Sequence, residues 1–516
     1  VTDTGNDTPQ VWVCYWTNSG SVTFTNAMGL RDGGFTNPVS GLLPGISYQY
    51  HIVASNSAGA ATSTVSSFAT IPAPATWYTA TNGSGLGGTN WSTAFTTIPD
   101  CLSVAENDDT VCLAGHVFNV LTNQVTWQGR SNMTIRGGYA ATNDAALPGD
   151  RDAALWPSII QRGAGATRVM YLNGITNSLL DSVTIKDGWV SLVSIQYGMG
   201  LYIANSPGLT IAGCLISNNW TGGSLAYGGG MYVAASSVTL TNCVVAKNSA
   251  VGTANSSAYG GGIDLASGNM TLIDCIVRDC LAAGTANGDG NGGGIYVGNG
   301  SKLTMRRSVI HLNTASQQRV GYYGNGGGLC LLNSATGILQ NCLIVTNLST
   351  VNAGTTKRGD GIFSAGNLIM ANCTVANNRG EGLRVAGSPA ITNSIFWGNI
   401  DDITGTVRLA YSDVQTADDV SWTNGVDGCI SSDPLFADTT YFHEQSQGGH
   451  YTNGYFSGGG WDKSAFQSPG INAGDQTSDF SGEPAPHGGR INMGAYGNTP
   501  VASLDNGVSG AIFLFY

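Results

Sequence analysis

The feature that most constrains this 516-residue chain is an internal repeat. Gly-Gly-Gly followed by an apolar residue begins at Gly228, Gly260, Gly292 and Gly326, in steps of 32, 32 and 34 residues. Each copy opens the same phrase: GGGMYVAASSVTLTNCVVAKNSA, GGGIDLASGNMTLIDCIVRDC, GGGIYVGNGSKLTMRRSVIHLNTA and GGGLCLLNSATGILQNCLIVTNLS. The phrase continues more loosely at 359–378 and 380–399, and the segments 177–188 and 199–219 fit the same frame upstream. Within each phrase, short runs of period-2 alternation are separated by Gly, Asn or Ser. Short strands at even spacing, with a period above 20 residues and no helical stretch, predict one solenoid coil per repeat. The expected fold class is therefore all-β, a right-handed parallel β-helix in which equivalent positions stack about 4.8 Å apart.

Composition agrees with that reading. Charged residues make up 10% of the chain, well under the roughly 25% of ordinary globular domains. The 75 glycines replace them, in turns rather than helices. With 42% hydrophobic residues the chain has ample apolar surface to bury. A formal charge of −12 argues against a nucleic-acid partner, which requires clustered Lys and Arg. No run reaches the 18 apolar residues of a membrane span. Val1 starts without a signal-peptide pattern, so an export signal is expected upstream or already removed.

Stacking turns the repeat into columns. Cys214, Cys243, Cys275, Cys342 and Cys373 share one column, with Ser308 and Ser394 filling it where Cys is missing. The spacing predicts an interior ladder of small unpaired thiols. No CxxC motif or His cluster supports a metal site. Cys101 and Cys112 form a separate pair, for which a disulfide and simple co-burial both stay open. In Gly-apolar-X-apolar, X faces outward, giving the column Tyr202, Tyr232, Asp264, Tyr296, Cys330, Phe363 and Arg384. Tyr202, Tyr232, Tyr296 and Phe363 are candidates for stacking against sugar rings. Asp264, between two tyrosines, suits a general acid of raised pKa, or an ordinary solvated turn partner. RGDG (358–361) and RGEG (379–382) place Asp360 above Glu381 on adjacent coils. That spacing, about 5 Å, suits a retaining glycosidase pair. It also suits Ca²⁺, the one cofactor the sequence suggests, or a plain charge ladder with arginine counter-ions.

Several segments carry a resemblance. Trp91-Ser, Asn107-Asp-Asp-Thr-Val and Ile135-Arg-Gly-Gly-Tyr139 resemble the opening of bacterial β-helix proteins of the pectate-lyase-like superfamily. Asp433-Pro-Leu-Phe436, Ser468-Pro-Gly-Ile-Asn-Ala-Gly-Asp475 and Gly489-Arg-Ile-Asn-Met-Gly-Ala-Tyr496 resemble the ending of choice-of-anchor Q domains. The glycine-headed coils are also similar to polymorphic outer-membrane-protein repeats. Leu43-Pro-Gly-Ile-Ser-Tyr-Gln-Tyr50 resembles the tyrosine-corner strand of a fibronectin type III domain. The expected organisation is a fibronectin-like β-sandwich over 1–72 and the β-helix over 73–430. Closing coils and a cap follow over 431–500, then a tail or edge strand over 501–516. The resemblance implies a secreted or cell-surface location. Lyases of this fold use an acidic Ca²⁺ cluster with a Lys or Arg base, and its hydrolases use clustered aspartates; neither pattern is matched here.

Two functions fit. The favoured one is non-enzymatic: an extracellular structural or adhesive module whose partners are polysaccharide or copies of itself. In its extended form, the scant first strand of the sandwich and the apolar 511–516 pair between copies into a filament. The alternative is a secreted polysaccharide lyase or glycoside hydrolase, acting around Asp264 or at Asp360 and Glu381.

Overall fold

The structure, a computed structural model, describes every residue except 1–6, 18–22, 32, 37–38, 143–146, 192–193, 254, 286–287, 317–322, 350–356, 416, 419–423 and 508–516. The apolar tail 511–516 thus lies outside the described residues. The chain forms two compact units, Val1–Ala75 and Thr76–Tyr516.

The first unit is an antiparallel sheet of β1 (Gln10–Thr17), β2 (Thr23–Leu30), β3 (Ser47–Asn56), β4 (Gly59–Thr62) and β5 (Ser66–Ala69). β4 and β5 both pair with the same edge of β3, one beyond the other. The described strands therefore form one sheet where two packed sheets were expected. Its core is aromatic: Tyr15 stacks on Phe24 and Tyr48 on Phe68. The Tyr48 hydroxyl accepts a hydrogen bond from the Leu43 N–H at 2.9 Å, bracing the chain five residues upstream.

The second unit is a parallel β-helix. Its only described α-helix, α1 (Ile98–Val104), is capped by Thr97, whose hydroxyl accepts from the Asp100 N–H. Cys101 and Cys112 are buried thiols without a disulfide. One coil shows the pattern. After Gly228–Gly230 the chain enters an 11-stranded front sheet at Met231–Ala234, then a long back sheet at Ser236–Thr241 and Val244–Ala246. Two narrow side sheets follow, at Ser249–Gly252 and Ala258–Tyr259, before the next glycines. Alternate residues point inward, so Met231, Val233, Val238, Leu240 and Val245 are all buried in one continuous core. Each such aliphatic side chain contributes about 1.5–3 kcal/mol. The cysteine column lies within that core. Cys243 Sγ donates to Ile211 O, and where Ser308 replaces Cys its hydroxyl accepts the Cys275 N–H. Burial pushes the Cys214 and Cys373 thiols well up, which keeps them protonated.

A second interior column was not expected. Asn219, Asn248, Asn313, Asn347, Asn378 and Asn399 stack at the corner between the back sheet and the first side sheet. The oxygens of Asn248, Asn347, Asn378 and Asn399 accept from the Asn amide of the preceding coil, those of Asn219 and Asn313 accept the Gly188 and Cys280 N–H, and each amide also reaches a main-chain carbonyl. Asn347, for example, donates to Ile310 O and to Asn378 Oδ1. The column is broken once, at Cys280, where the Asn248 amide meets only a thiol at 4.0 Å.

Residues beyond 430 fold back along the outside of the back sheet. Asn341 and Asn372 there donate to the carbonyls of Ala495, Gly497 and Asn492. Phe442, Tyr451 and Tyr496 pack against Val309, Leu343 and Val345.

The ladder yields a test. Asn347→Ala strands several buried donors and acceptors at about 1–3 kcal/mol each, so the unfolding midpoint should fall sharply. Cys280→Asn completes the column and should raise the midpoint, by roughly 1 kcal/mol of net hydrogen bonding. Chemical denaturation followed by far-UV circular dichroism reads both.

Candidate functional site

Each coil ends on a glycine that no other residue could replace without strain. Gly198, Gly228, Gly260, Gly292, Gly326 and Gly359 lie at φ between +48° and +65°. A Cβ at any of them would collide with the carbonyl oxygen three residues on. This tight turn brings the residue before the glycine beside the second residue of the front strand. The two outward side chains meet, so the wall folds inward there and forms a re-entrant corner.

Two columns face each other across it. On the front sheet, pairing in register gives Tyr171, Tyr202, Tyr232, Asp264, Tyr296, Cys330, Phe363 and Arg384. On the side sheet it gives Tyr197, Tyr227, Tyr259, Asn291, Asn325 and Arg358. The rings form a contiguous cluster. Tyr197 stacks on Tyr227 at 5.3 Å, and Tyr227 on Tyr259 at 4.9 Å. Edge contacts join Tyr202 to Tyr232 at 5.0 Å and Tyr259 to Tyr296 at 5.0 Å. Tyr171, Tyr197, Tyr202, Tyr227, Tyr232 and Tyr259 are half-buried, and Tyr296 is buried. Arg168 lies over Tyr202 at 5.0 Å.

Asp264 sits beneath this cluster. It is 0% exposed, between Tyr232 and Tyr296 in the ladder, and neither carboxyl oxygen has a hydrogen-bond partner. Desolvation alone holds its pKa well above the usual carboxylate range, which favours the protonated form. Tyr227, Tyr232, Tyr259 and Tyr296 all lie close enough to feel any charge there. Asp289 lies near Tyr259 and Cys330 and accepts the Tyr323 N–H.

The remaining candidates are placed differently. Phe363 and Arg384 follow Cys330 in the same column, beyond the tyrosine contacts. Asp360 and Glu381 are adjacent, yet their carboxylates are committed to separate tasks. Asp360 is fully buried and takes hydrogen bonds from the Ser349 N–H and hydroxyl and from the Glu381 N–H. Glu381 accepts the Gly359 N–H and pairs with Arg384. A glycosidase pair or a Ca²⁺ ion would need those same oxygens. Among the described residues no His, Cys, Asp and Glu cluster is arranged to hold a metal.

Three features escaped the sequence reading. Tyr197, Tyr227 and Tyr259 each precede a turn glycine, a Tyr-Gly signal legible in hindsight. Trp189 and Trp220 stack at 5.6 Å on the first side sheet, with Trp189 40% exposed. A cleft of about 730 Å³ lies away from the tyrosines, at the corner within the back sheet.

The sequence matches the family described as the right handed beta helix region over residues 104–291 and 257–411, more than half of the chain. No curated protein matches it by sequence. Among solved structures, pectate lyase Pel9A superposes with a TM-score of 0.52 at 14% identity, covering 82% of this chain and 96% of that one. A pectin methylesterase from Aspergillus niger gives a TM-score of 0.27 at 11% identity, covering 71% of this chain and 94% of its own. A family 28 exopolygalacturonase from Yersinia enterocolitica gives 0.27 at 10%, covering 81% and 94%. The first of these likenesses shows the fold, and the other two are too distant to bear on it.

The buried acid makes stability depend on pH. Below pH ~4 Asp264 is protonated in both folded and unfolded chains, and folding costs nothing extra. Above that, the unfolded carboxyl ionises while the folded one stays neutral, so stability falls as pH rises toward the raised folded pKa. Asp264→Asn removes this dependence. Its melting temperature relative to the native protein should climb between pH 4 and pH 8; a constant difference would show that Asp264 ionises freely in the fold.

Proposed function

The chain belongs to the right-handed β-helix family, and on that premise we propose that it is an extracellular, adhesive glycan-binding module. The polysaccharide lies along the corner where the two tyrosine columns meet. The observation that carries this reading is the continuous run of half-buried tyrosines across successive coils, from Tyr171 and Tyr202 to Tyr259, which ends against the buried Tyr296. Half-buried rings held rigid by their neighbours offer apolar faces with polar hydroxyl tips at low entropic cost. A coil repeat of about 4.8 Å presents such faces at regular intervals to a polymer that is itself periodic. Low charge favours a neutral or weakly charged chain over an electrostatically captured one. The extracellular location rests on the fold's company and on the resemblance of the closing segments to surface-sorted proteins. No described helix is long and apolar enough to cross a membrane.

A second reading, hydrolysis, is favoured by one observation, the neutral carboxyl of Asp264. A glycosidase also needs a second carboxylate facing the same bond. Asp289 is the nearby acid, but it is tied to the Tyr323 N–H, and Asp264 is wholly covered by rings. Binding without cleavage therefore ranks first. The fibronectin-like reading of the first unit is supported by the Tyr48–Leu43 brace, while its single described sheet departs from a two-sheet sandwich. The filament reading rests on residues 511–516, which lie outside the described residues.

Affinity electrophoresis in polysaccharide-containing gels tests the assignment. Tyr232→Ala and Tyr227→Ala should each weaken retardation by roughly threefold to tenfold, matching ~0.5–1.5 kcal/mol per ring contact. Phe363→Ala should change it little. Glycan turnover lost in Asp264→Asn would move the balance to hydrolysis, and absence of retardation by any glycan would remove both readings.

A further inference from the structure

The fold-back segment leaves part of its track empty. The turn at the corner within the back sheet is made in successive coils by Asn242, Asp274, Arg307, Asn341, Asn372 and Asn393, all at positive φ. The last three hold the returning chain: Asn393 accepts the Asp475 N–H, while Asn372 and Asn341 donate to carbonyls between 492 and 497. The returning chain stops covering the corner at Asn498–Pro500. Over the next coils, Asn242, Asp274 and Arg307 form the floor of the 730 Å³ cleft, and Tyr455 and Phe456 overhang it. That volume is within the roughly 300–1,000 Å³ of small-ligand sites.

The lining is chemically specific. Arg307 is locked by a two-point ion pair to Asp274, both contacts at 2.8 Å, so its guanidinium plane is fixed before any ligand arrives. Arg306, beside it, is exposed and has no ion pair among the described residues. Gln340 adds a planar amide beside the one that Asn242 presents from the floor. The cleft thus carries one uncompensated positive charge on a chain of net charge −12. Aromatic rings on one wall, planar hydrogen-bonding groups on the other and a single free cation suit a ring with several hydroxyls and one anionic substituent.

We infer that this cleft is a second, separate binding site, which takes a short saccharide bearing a carboxylate or sulfate group. Tyr455 and Phe456 cover the ring face, Arg307 and Asp274 read neighbouring hydroxyls, and Arg306 pairs with the anion. The site stands apart from the tyrosine corner, so either can fail without the other.

Isothermal titration of the whole chain provides the test. The probes are a uronic-acid trisaccharide, a sulfated disaccharide and a neutral trisaccharide. One or both acidic probes should bind, which identifies the anion preferred. Arg306→Ala should weaken the acidic probe by about tenfold or more, the scale of a lost charge-assisted contact, and leave neutral binding nearly unchanged. Phe456→Ala should weaken the acidic probe as well. The inference is overturned if no acidic probe binds at millimolar concentration, or if Arg306→Ala or Phe456→Ala binds the acidic probe as the native chain does.

Discussion

The β-helix unit depends on one constraint, that every coil must turn at residues held in the left-handed region. Glycine takes this role at the front corner, where a side chain has no room. At the corner within the back sheet the role passes to Asn242, Asp274, Asn341, Asn372 and Asn393. Asn and Asp tolerate that conformation because a short polar side chain hydrogen-bonds locally. Arg307 departs from this preference and is the residue tied to Asp274. Once these corners are fixed, register follows, since a slip by one residue would put every inward side chain outside.

Register also explains how much could be read in advance. The glycine steps gave the coil, and alternation around Tyr232 and Asp264 gave the outward column, because both are local patterns that stacking merely repeats. The Cys column was legible for the same reason, Cys being rare enough to notice. The Asn column beside it obeys the same arithmetic but is hidden in a chain rich in Asn and interrupted at Cys280. The facing tyrosines lie outside the alternation, because the left-handed glycine that follows each of them breaks the period. Its physical effect is to fold two outward faces together, so the residue before the turn matters as much as the one after it.

The long-range features had no local signal. The segment around Met493 settles against Asn341 and Asn372, some 120–156 residues away in sequence, and no periodicity announces such a contact. The cleft exists only because that segment stops where it does. Asp360 and Glu381 illustrate the opposite error. Their spacing is that of a catalytic pair, but spacing along a ladder fixes where backbones lie and not where carboxylates point. Asp360 turns toward Ser349 and Glu381 toward Gly359 and Arg384, so each braces a coil that lacks the full glycine triplet.

Asp264 has no such structural duty. A carboxyl without hydrogen-bond partners at full burial costs several kcal/mol relative to a solvated one. Its own column shows that other residues fit: Tyr232 and Tyr296 on either side, then Cys330 and Phe363, all in the same register. An aromatic or thiol at position 264 would continue the pattern without a desolvated acid. A neutral acid can both donate and accept a hydrogen bond, which neither a ring face nor a thiol does well. Its position beneath the tyrosines puts a polar group directly beside the rings on which the proposed glycan reading rests. Stability alone argues against an acid at this position; the proposed glycan binding gives it a reason.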